Sequence, residues 1–257
     1  MKGDFSRSTF EPAKHYSSVR MQQGRVQLDA DWNEELDITA HRIATETIDV
    51  IGPTGAPQDG GGFKIGLTPD GSDLAISPGR IYVDGVLCEL DPSAVPVKIS
   101  GAKATLEALT LDGRVLVKGE WVEILYPDGK VDPRKIADLD TPSHTLALEG
   151  GPVAPDPEAR LRRLVTFATQ VDLPGEEMPD TGDYAVILDV WERHITAHED
   201  PDIREIALGG PDTATRTQVV AQVKLIPVKG FAGELTCGNA IEIAFAPHSK
   251  CILARNP

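Results

Sequence analysis

The sequence predicts a mainly β protein: an extended N-terminal segment and one long helix, then a β-sandwich or barrel-like domain with a small inserted β-barrel. Two patterns predict this. Beyond residue 62, short apolar runs alternate with glycine, proline and aspartate, which is typical of short strands joined by turns. Before that point, a single stretch repeats its apolar residues at helical spacing. The chain of 257 residues is long enough to bury a sizeable core without disulfides.

Residues 1–52 are predicted to form an N-terminal docking unit. Residues 1–28 are polar and irregular but rich in apolar anchors, so we expect them to be extended and held down. A helix is predicted over residues 31–51, capped by Asp29 or Asp31 and ended by Gly52 and Pro53. One face of it gathers Trp32, Leu36, Ala40, Ile43, Thr47, Val50 and Ile51.

The main β domain is predicted to comprise residues 63–100 and 159–257. Asp84 and Gly85 lie between two apolar runs and predict a tight hairpin, because both residue types tolerate positive φ. The run at 184–195 has apolar residues on both faces, which predicts a strand covered on both sides, with Trp191 buried. Further strands are predicted at 63–67, 73–76, 80–83, 86–90, 95–99, 164–171, 217–228, 241–245 and 251–253.

A small β-barrel is predicted over residues 101–150, because several short apolar runs follow one another closely there. Its strands are predicted at 115–117, 121–125, 135–139 and 145–148. The chain stops soon after the last apolar run, and from this we expect a C-terminal continuation.

Composition excludes several functional classes. The net charge of −15 repels nucleic-acid phosphates, so no nucleic-acid partner is expected. No apolar stretch approaches the roughly 20 residues of a membrane span, and the N-terminus has no signal peptide, which predicts cytoplasmic synthesis and no direct membrane insertion. Cys88, Cys237 and Cys251 form no CxxC pair and are read as reduced, structural thiols.

No catalytic residue, metal site or cofactor is predicted. His194 and His198 have the i, i+4 spacing of zinc ligands, with Glu199, Asp200 and Asp202 nearby, but they follow a strand, where such residues lie far apart. Nucleotide-binding loops and nucleophile elbows are absent from the sequence.

Charged residues in two segments are predicted to form ion pairs that fix loops. Arg25 and Asp29 bracket a short apolar stretch near the helix start. A buried Asp189 is expected to pair with an arginine, since buried charges need partners. The residues assigned to this ion-pair network are Asp29, Asp189, Glu192, Arg193, Arg204 and Arg216.

These two segments carry a family resemblance. The opening MKGDFSRSTFEPAKHYSSVRMQQGRVQLDADWNEE and the later DVWERHIT and IREIALGGPDTATRTQVV stretches resemble the DUF6519 family. Members of that family look like components of phage-tail-like particles. The stretch PGRIYVDG at 78–85 also resembles a hairpin of phage baseplate and tail-fibre-attachment proteins.

The resemblance implies a structural, non-enzymatic component of a contractile injection system or phage-tail-like particle, near the baseplate or fibre attachment. Its partners would be other particle subunits, with copies of the chain arranged by the particle's symmetry. The expected docking residues, which in the alternative only seal the domain's own core, are Phe10, Tyr16, Met21, Arg25, Trp32 and Leu36.

Two other functions remain open. A glycan-active enzyme would use Asp189, Glu192 and Asp200 as acids, although Asp189 and Glu192 point to opposite faces of a strand and need a bulge to converge. A carbohydrate-binding module would use exposed, coplanar rings of Trp121, Tyr126 and Trp191.

Overall fold

The computed structural model describes residues 3–172, 174–179 and 181–227. In these residues the protein is mainly β, as predicted, with one α-helix, α1, at Asp29–Ile51. The strands are β1 Thr54–Gly55, β2 Ile65–Leu67, β3 Leu74–Ile76, β4 Gly79–Val83, β5 Val86–Leu90, β6 Val95–Pro96, β7 Lys98–Ser100, β8 Lys103–Thr105, β9 Thr110–Leu111, β10 Arg114–Val115, β11 Trp121–Leu125, β12 Val131–Asp140, β13 Thr145–Leu148, β14 Arg160–Arg163, β15 Tyr184–Ile195 and β16 Arg216–Pro227.

Helix α1 begins two residues earlier than predicted. The residue before it, Leu28, is extended and makes no side-chain cap, so the prediction of a cap by Asp29 or Asp31 is wrong. Both aspartates lie instead in the first turn, where the helix dipole favours negative charge. The helix ends at Ile51, and the N–H of the capping residue Gly52 donates to the Ile48 carbonyl.

Hairpin β4–β5 supports the helix. Its turn has φ of 48° at Asp84 and 80° at Gly85, the positive values predicted for this pair. A Cβ on Gly85 would lie 2.6 Å from the Ala44 carbonyl oxygen, so the turn packs closely against α1. Glycine is therefore required there for both conformation and space.

A seven-stranded antiparallel sheet forms a nearly closed barrel, in the order β6-β14-β11-β12-β13-β8-β7. The two outermost strands, β6 and β7, are separated only by Val97, so one bent segment supplies both ends of the sheet. The core of the barrel includes Val122, Ile124, Ile136, Leu146 and Leu161, all fully buried. The barrel takes strands from Val95 to Arg163, a wider stretch than 101–150, and the domain boundaries stay a prediction.

A second core lies under hairpin β15–β16, whose twelve residue pairs run in unbroken register. Ile76, Val165, Phe167 and Val223 form this core. The buried side chain of Gln170 accepts from the Val223 N–H at 2.7 Å and donates to the Val223 carbonyl at 3.0 Å. This residue therefore ties the loop after the barrel to β16.

Two strand predictions are wrong. The apolar run at 164–171 does not continue β14, because Thr166 and Thr169 cap each other and turn Phe167–Thr169 into a 3₁₀ turn. Among the described residues strand β15 is not covered fully on both faces, because most of its side chains are partly or fully exposed and Trp191 is 37% exposed. The runs at 241–245 and 251–253, with Cys237 and Cys251, lie outside the described residues.

Candidate docking surface

Helix α1 turns an apolar face to solvent. Trp32 is 64% exposed and Val50 is 79% exposed, with Leu36 and Ile43 between them also exposed. At 100° per residue these four side chains lie within about 40° of one another around the helix axis. Ala30 and Ile38, the two buried residues of α1, lie on the other side. We call Trp32, Leu36, Ile43 and Val50 the apolar seam.

Residues 3–28, the N-terminal arm, run along α1 and are held by its carboxylates. Ser6 donates to Asp29 twice, from its N–H at 2.8 Å and from its hydroxyl at 2.6 Å. The Thr9 hydroxyl donates to Glu34 at 2.6 Å, and the Val19 N–H donates to Glu35 at 2.5 Å. The carboxylates of the first helical turns therefore hold in place an arm whose backbone is not hydrogen-bonded into any strand pair.

Two aromatic contacts add to this attachment. The Phe10 ring lies 5.7 Å from the His41 ring, and the Phe5 ring lies 5.5 Å from the His194 ring of β15, centroid to centroid. Phe5 and Phe10 are half-buried, and no residue of the arm is fully buried. The arm therefore rests on the surface of the protein without entering its core.

The predicted docking residues fall into two groups. Phe10 packs on its own helix through His41. The other five, Tyr16, Met21, Arg25, Trp32 and Leu36, are exposed. Exposure of Trp32 and Leu36 means that they do not seal the domain's own core.

The electrostatics of α1 are strongly negative. The helix carries seven acidic residues and one arginine, Arg42. Hydrogen bonds from Ser6 lower the pKa of Asp29, whereas partial burial and the nearby Glu34 raise the pKa of Asp37. Glu46 and Asp49 are exposed, and their carboxylates have no hydrogen-bond or ion-pair partner in the described part of the chain.

The predicted pairing of Asp189 with an arginine is wrong. Asp189 is partly exposed and accepts from the Lys224 ammonium at 2.5 Å, because Lys224 lies diagonally across from it on β16. Arg193 instead pairs with Asp172 at 3.2 Å, and Glu192 is exposed. Of the other network residues, Arg204 bridges Asp212 through the backbone and Arg216 donates to the neighbouring Thr215 carbonyl.

The candidate acids do not share a cleft. Asp189 and Glu192 lie on opposite faces, because β15 pairs with β16 without a bulge. Asp200 accepts from the Asp202 N–H at 3.1 Å and so caps a 3₁₀ turn. It lines a cleft of about 410 Å³ with Arg193 and Arg216, and neither Asp189 nor Glu192 lines that cleft.

A lysine lies over each aromatic ring considered for sugar binding. The ammonium of Lys135 is 5.6 Å from the Trp121 ring centroid, that of Lys130 is 5.5 Å from Tyr126, and that of Lys224 is 5.0 Å from Trp191. Trp121 is also buried. Each of these three rings therefore makes a cation–π contact with a lysine of its own chain.

Within the described ranges, no three His, Cys, Asp or Glu side chains gather as metal ligands. The His194 ring shares a hydrogen bond of 2.5 Å with Thr215. Burial raises the pKa of the Cys88 thiol to about 11, which keeps it protonated near neutral pH. None of the described helices combines the length and hydrophobicity that crossing a membrane requires.

One family match emerges from comparison with known proteins. The sequence model described as "Family of unknown function (DUF6519)" matches residues 1–130 and 170–236. The match covers the N-terminal arm, α1 and hairpin β15–β16, and it omits β12, β13 and β14. No curated protein and no solved structure matches the chain.

Proposed function

Since this chain belongs to the DUF6519 family, whose function is unknown, we propose a function from its own surface. The protein is a structural, non-enzymatic subunit of a larger protein assembly, which it joins through the N-terminal arm and the apolar seam. The resemblance of PGRIYVDG at 78–85 to baseplate and fibre-attachment hairpins supports, as the identity of that assembly, a phage-tail-like particle such as a contractile injection system.

The exposed apolar seam carries this proposal. Burying one large apolar side chain stabilises a protein by about 1.5–3 kcal/mol, and the seam leaves four of them in water. A contiguous exposed apolar patch with a polar rim is typical of an interaction surface. The seam therefore has the character of one side of an interface.

Its occupant is a different subunit of the assembly. Pairing two copies through α1 would bring seven acidic residues of one helix beside seven of the other, with one arginine each. Such like-charge contact weakens the pairing of two copies. A different subunit with lysines and arginines around its own apolar patch would bind more tightly, because its charges are opposite to those of α1. Repeated copies of the chain then follow the symmetry of the particle.

Incorporation into native particles tests the proposal. The double variant Leu36→Asp/Ile43→Asp places two charges in the seam, and we expect it to be lost from particles purified by sedimentation from the native host. A matched control is Ile206→Asp/Leu208→Asp, which changes exposed apolar residues far along the chain; Ile206 is 88% exposed.

The proposal requires that the wild type and the control occur at a fixed copy number per particle. Far-UV circular dichroism checks that the seam variant keeps its fold. Finding the wild type only as a soluble monomer, absent from particles, would overturn the proposal. Glycan-cleavage assays with Asp189 and Glu192 variants would then follow.

A further inference from the structure

We infer that the partner presents a basic amphipathic α-helix to the apolar seam. This inference rests on the proposed docking role and specifies the chemistry of the subunit that fills it. It follows from the spacing of the seam, from the backbone behind it and from the charges along its edges.

The seam has the spacing of a helix-packing surface. Its residues follow one another at offsets of four, seven and seven, which matches the 3.5-residue period along which two helices stay in contact. From Trp32 to Val50 the seam is about 27 Å long, at 1.5 Å per residue. Thr39, Ala40 and Thr47 beside it are small, which allows the axis of a second helix to approach closely.

The backbone behind the seam favours a helix over a strand as the partner. All 23 residues from Asp29 to Ile51 are in one α-helix, so the N–H and C=O groups between its ends are already paired. A strand added to a partner needs a free row of these groups, and α1 offers none beneath the seam. The seam can only be recognised through its side chains.

The charges along the seam are asymmetric. One edge carries Glu35, Glu46 and Asp49, with Arg42 among them. The other edge carries the neutral Asn33, Ala40 and Thr47, and its one acid, Asp29, is held by Ser6 at the start of the helix. Glu46 and Asp49 are exposed and unpaired among the described residues. Lysines or arginines along one edge of a partner helix would pair with these two carboxylates.

A synthetic peptide tests the inference directly. The probe is a helical peptide of about three heptads with leucine at positions a and d and lysine along one edge. One control peptide has glutamate in place of lysine, and another has serine in place of leucine. Binding to the full chain is measured by calorimetry and by the change in tryptophan fluorescence, and a Trp121→Phe/Trp191→Phe variant isolates the signal of Trp32.

We expect the lysine–leucine peptide to bind at least about tenfold more tightly than either control peptide. The variants Leu36→Asp/Ile43→Asp and Glu46→Lys/Asp49→Lys should each weaken its binding by a similar factor. The matched control Glu107→Lys/Glu158→Lys makes the same change in net charge on the barrel and should leave binding within about twofold. Circular dichroism checks that each variant is folded.

Equal binding of the glutamate peptide, or of the serine peptide, would overturn the inference. Particle incorporation separates this failure from failure of the proposed function. If incorporation depends on Leu36 and Ile43 but the peptides bind alike, docking stands and a basic helix is not the partner. If the Leu36→Asp/Ile43→Asp variant is still incorporated into particles while the lysine peptide binds selectively, the proposed docking role is wrong.

Discussion

Arg163 is only 1% exposed, yet it carries a full charge inside the barrel wall. One of its guanidinium nitrogens donates to Glu120, and another donates to the Arg114 carbonyl at 3.1 Å. Glu120 also accepts from the Val117 N–H at 3.1 Å, so its carboxylate joins β14 to the loop before β11. A buried charge of this kind is tolerated only while its partner is present.

We therefore expect Glu120→Ala to lower the free energy of unfolding by about 3 kcal/mol, because it leaves Arg163 buried and unpaired. Urea unfolding followed by circular dichroism measures the loss. In the double variant Glu120→Ala/Arg163→Met no charge is stranded, so at least half of the loss should be recovered. A double variant no more stable than the single one would contradict this explanation.

The attachment of the N-terminal arm to α1 depends on pH through the Asp29 carboxylate. Hydrogen bonds from Ser6 lower its pKa when the arm is in place, so the arm's attachment is complete above the ordinary value of 3.8 and is lost as the pH falls through the lowered value. We expect Ser6→Ala to raise the pKa of Asp29 back toward 3.8. An NMR titration of the Asp29 carboxyl measures this, and an unchanged pKa in the variant would show that Ser6 does not hold the arm there.

At the scale of elements, the contact between α1 and hairpin β4–β5 depends on one glycine. Gly85→Ala would place a methyl group 2.6 Å from the Ala44 carbonyl in addition to forcing alanine into positive φ. We expect this variant to lower the free energy of unfolding, measured by thermal unfolding, by about 2–3 kcal/mol.

Gly113→Ala is the matched control for this variant. Gly113 follows Asp112 in a second Asp-Gly turn with φ of 72°, and nothing lies within 4 Å of its added Cβ. Its free energy of unfolding should fall by only about 1 kcal/mol, the cost of alanine at positive φ. Equal losses at the two glycines would mean that the turn does not support the helix.

Elements with strong local signals could be predicted from the sequence. The helix, the Asp84-Gly85 hairpin and strand 184–195 were all recognisable, because their periodicity and turn residues are local. The strand predicted over 164–171 was wrong because the pattern of apolar residues does not reveal that Thr166 and Thr169 cap each other. Strands as short as β8 and β9 give no sequence signal of their own.

The site was only partly predictable. The residues of the apolar face of α1 could be predicted from their spacing. Spacing does not show whether that face points towards the core or towards solvent. The orientation of the helix depends on the packing of Gly85 against Ala44, which the sequence does not reveal. The partner of Asp189 depends on the register of β15 and β16, which placed Lys224 near it in preference to an arginine.

At the scale of the whole molecule, the arm is separable from the fold it rests on. It contributes no fully buried residue, and Arg20 and Arg25 are exposed. We expect brief trypsin treatment to cut first at these arginines and to leave a folded remainder, because removing the arm does not open either core. Mass spectrometry identifies the cuts, and circular dichroism of the product checks the fold. Loss of β structure on cleavage at Arg25 would contradict this view.

The bent segment Val95–Ser100 has a consequence for how copies of this protein tolerate crowding. A sheet normally ends in two rows of unpaired backbone groups, which can recruit strands from other molecules and seed aggregates. Here a single segment occupies both ends and changes its strand partner, from β14 to β8, around Val97, whose N–H donates to the Ala159 carbonyl at 3.2 Å. The seven-stranded sheet therefore has almost no free edge to which a strand of another molecule could add, so aggregation through this sheet is disfavoured.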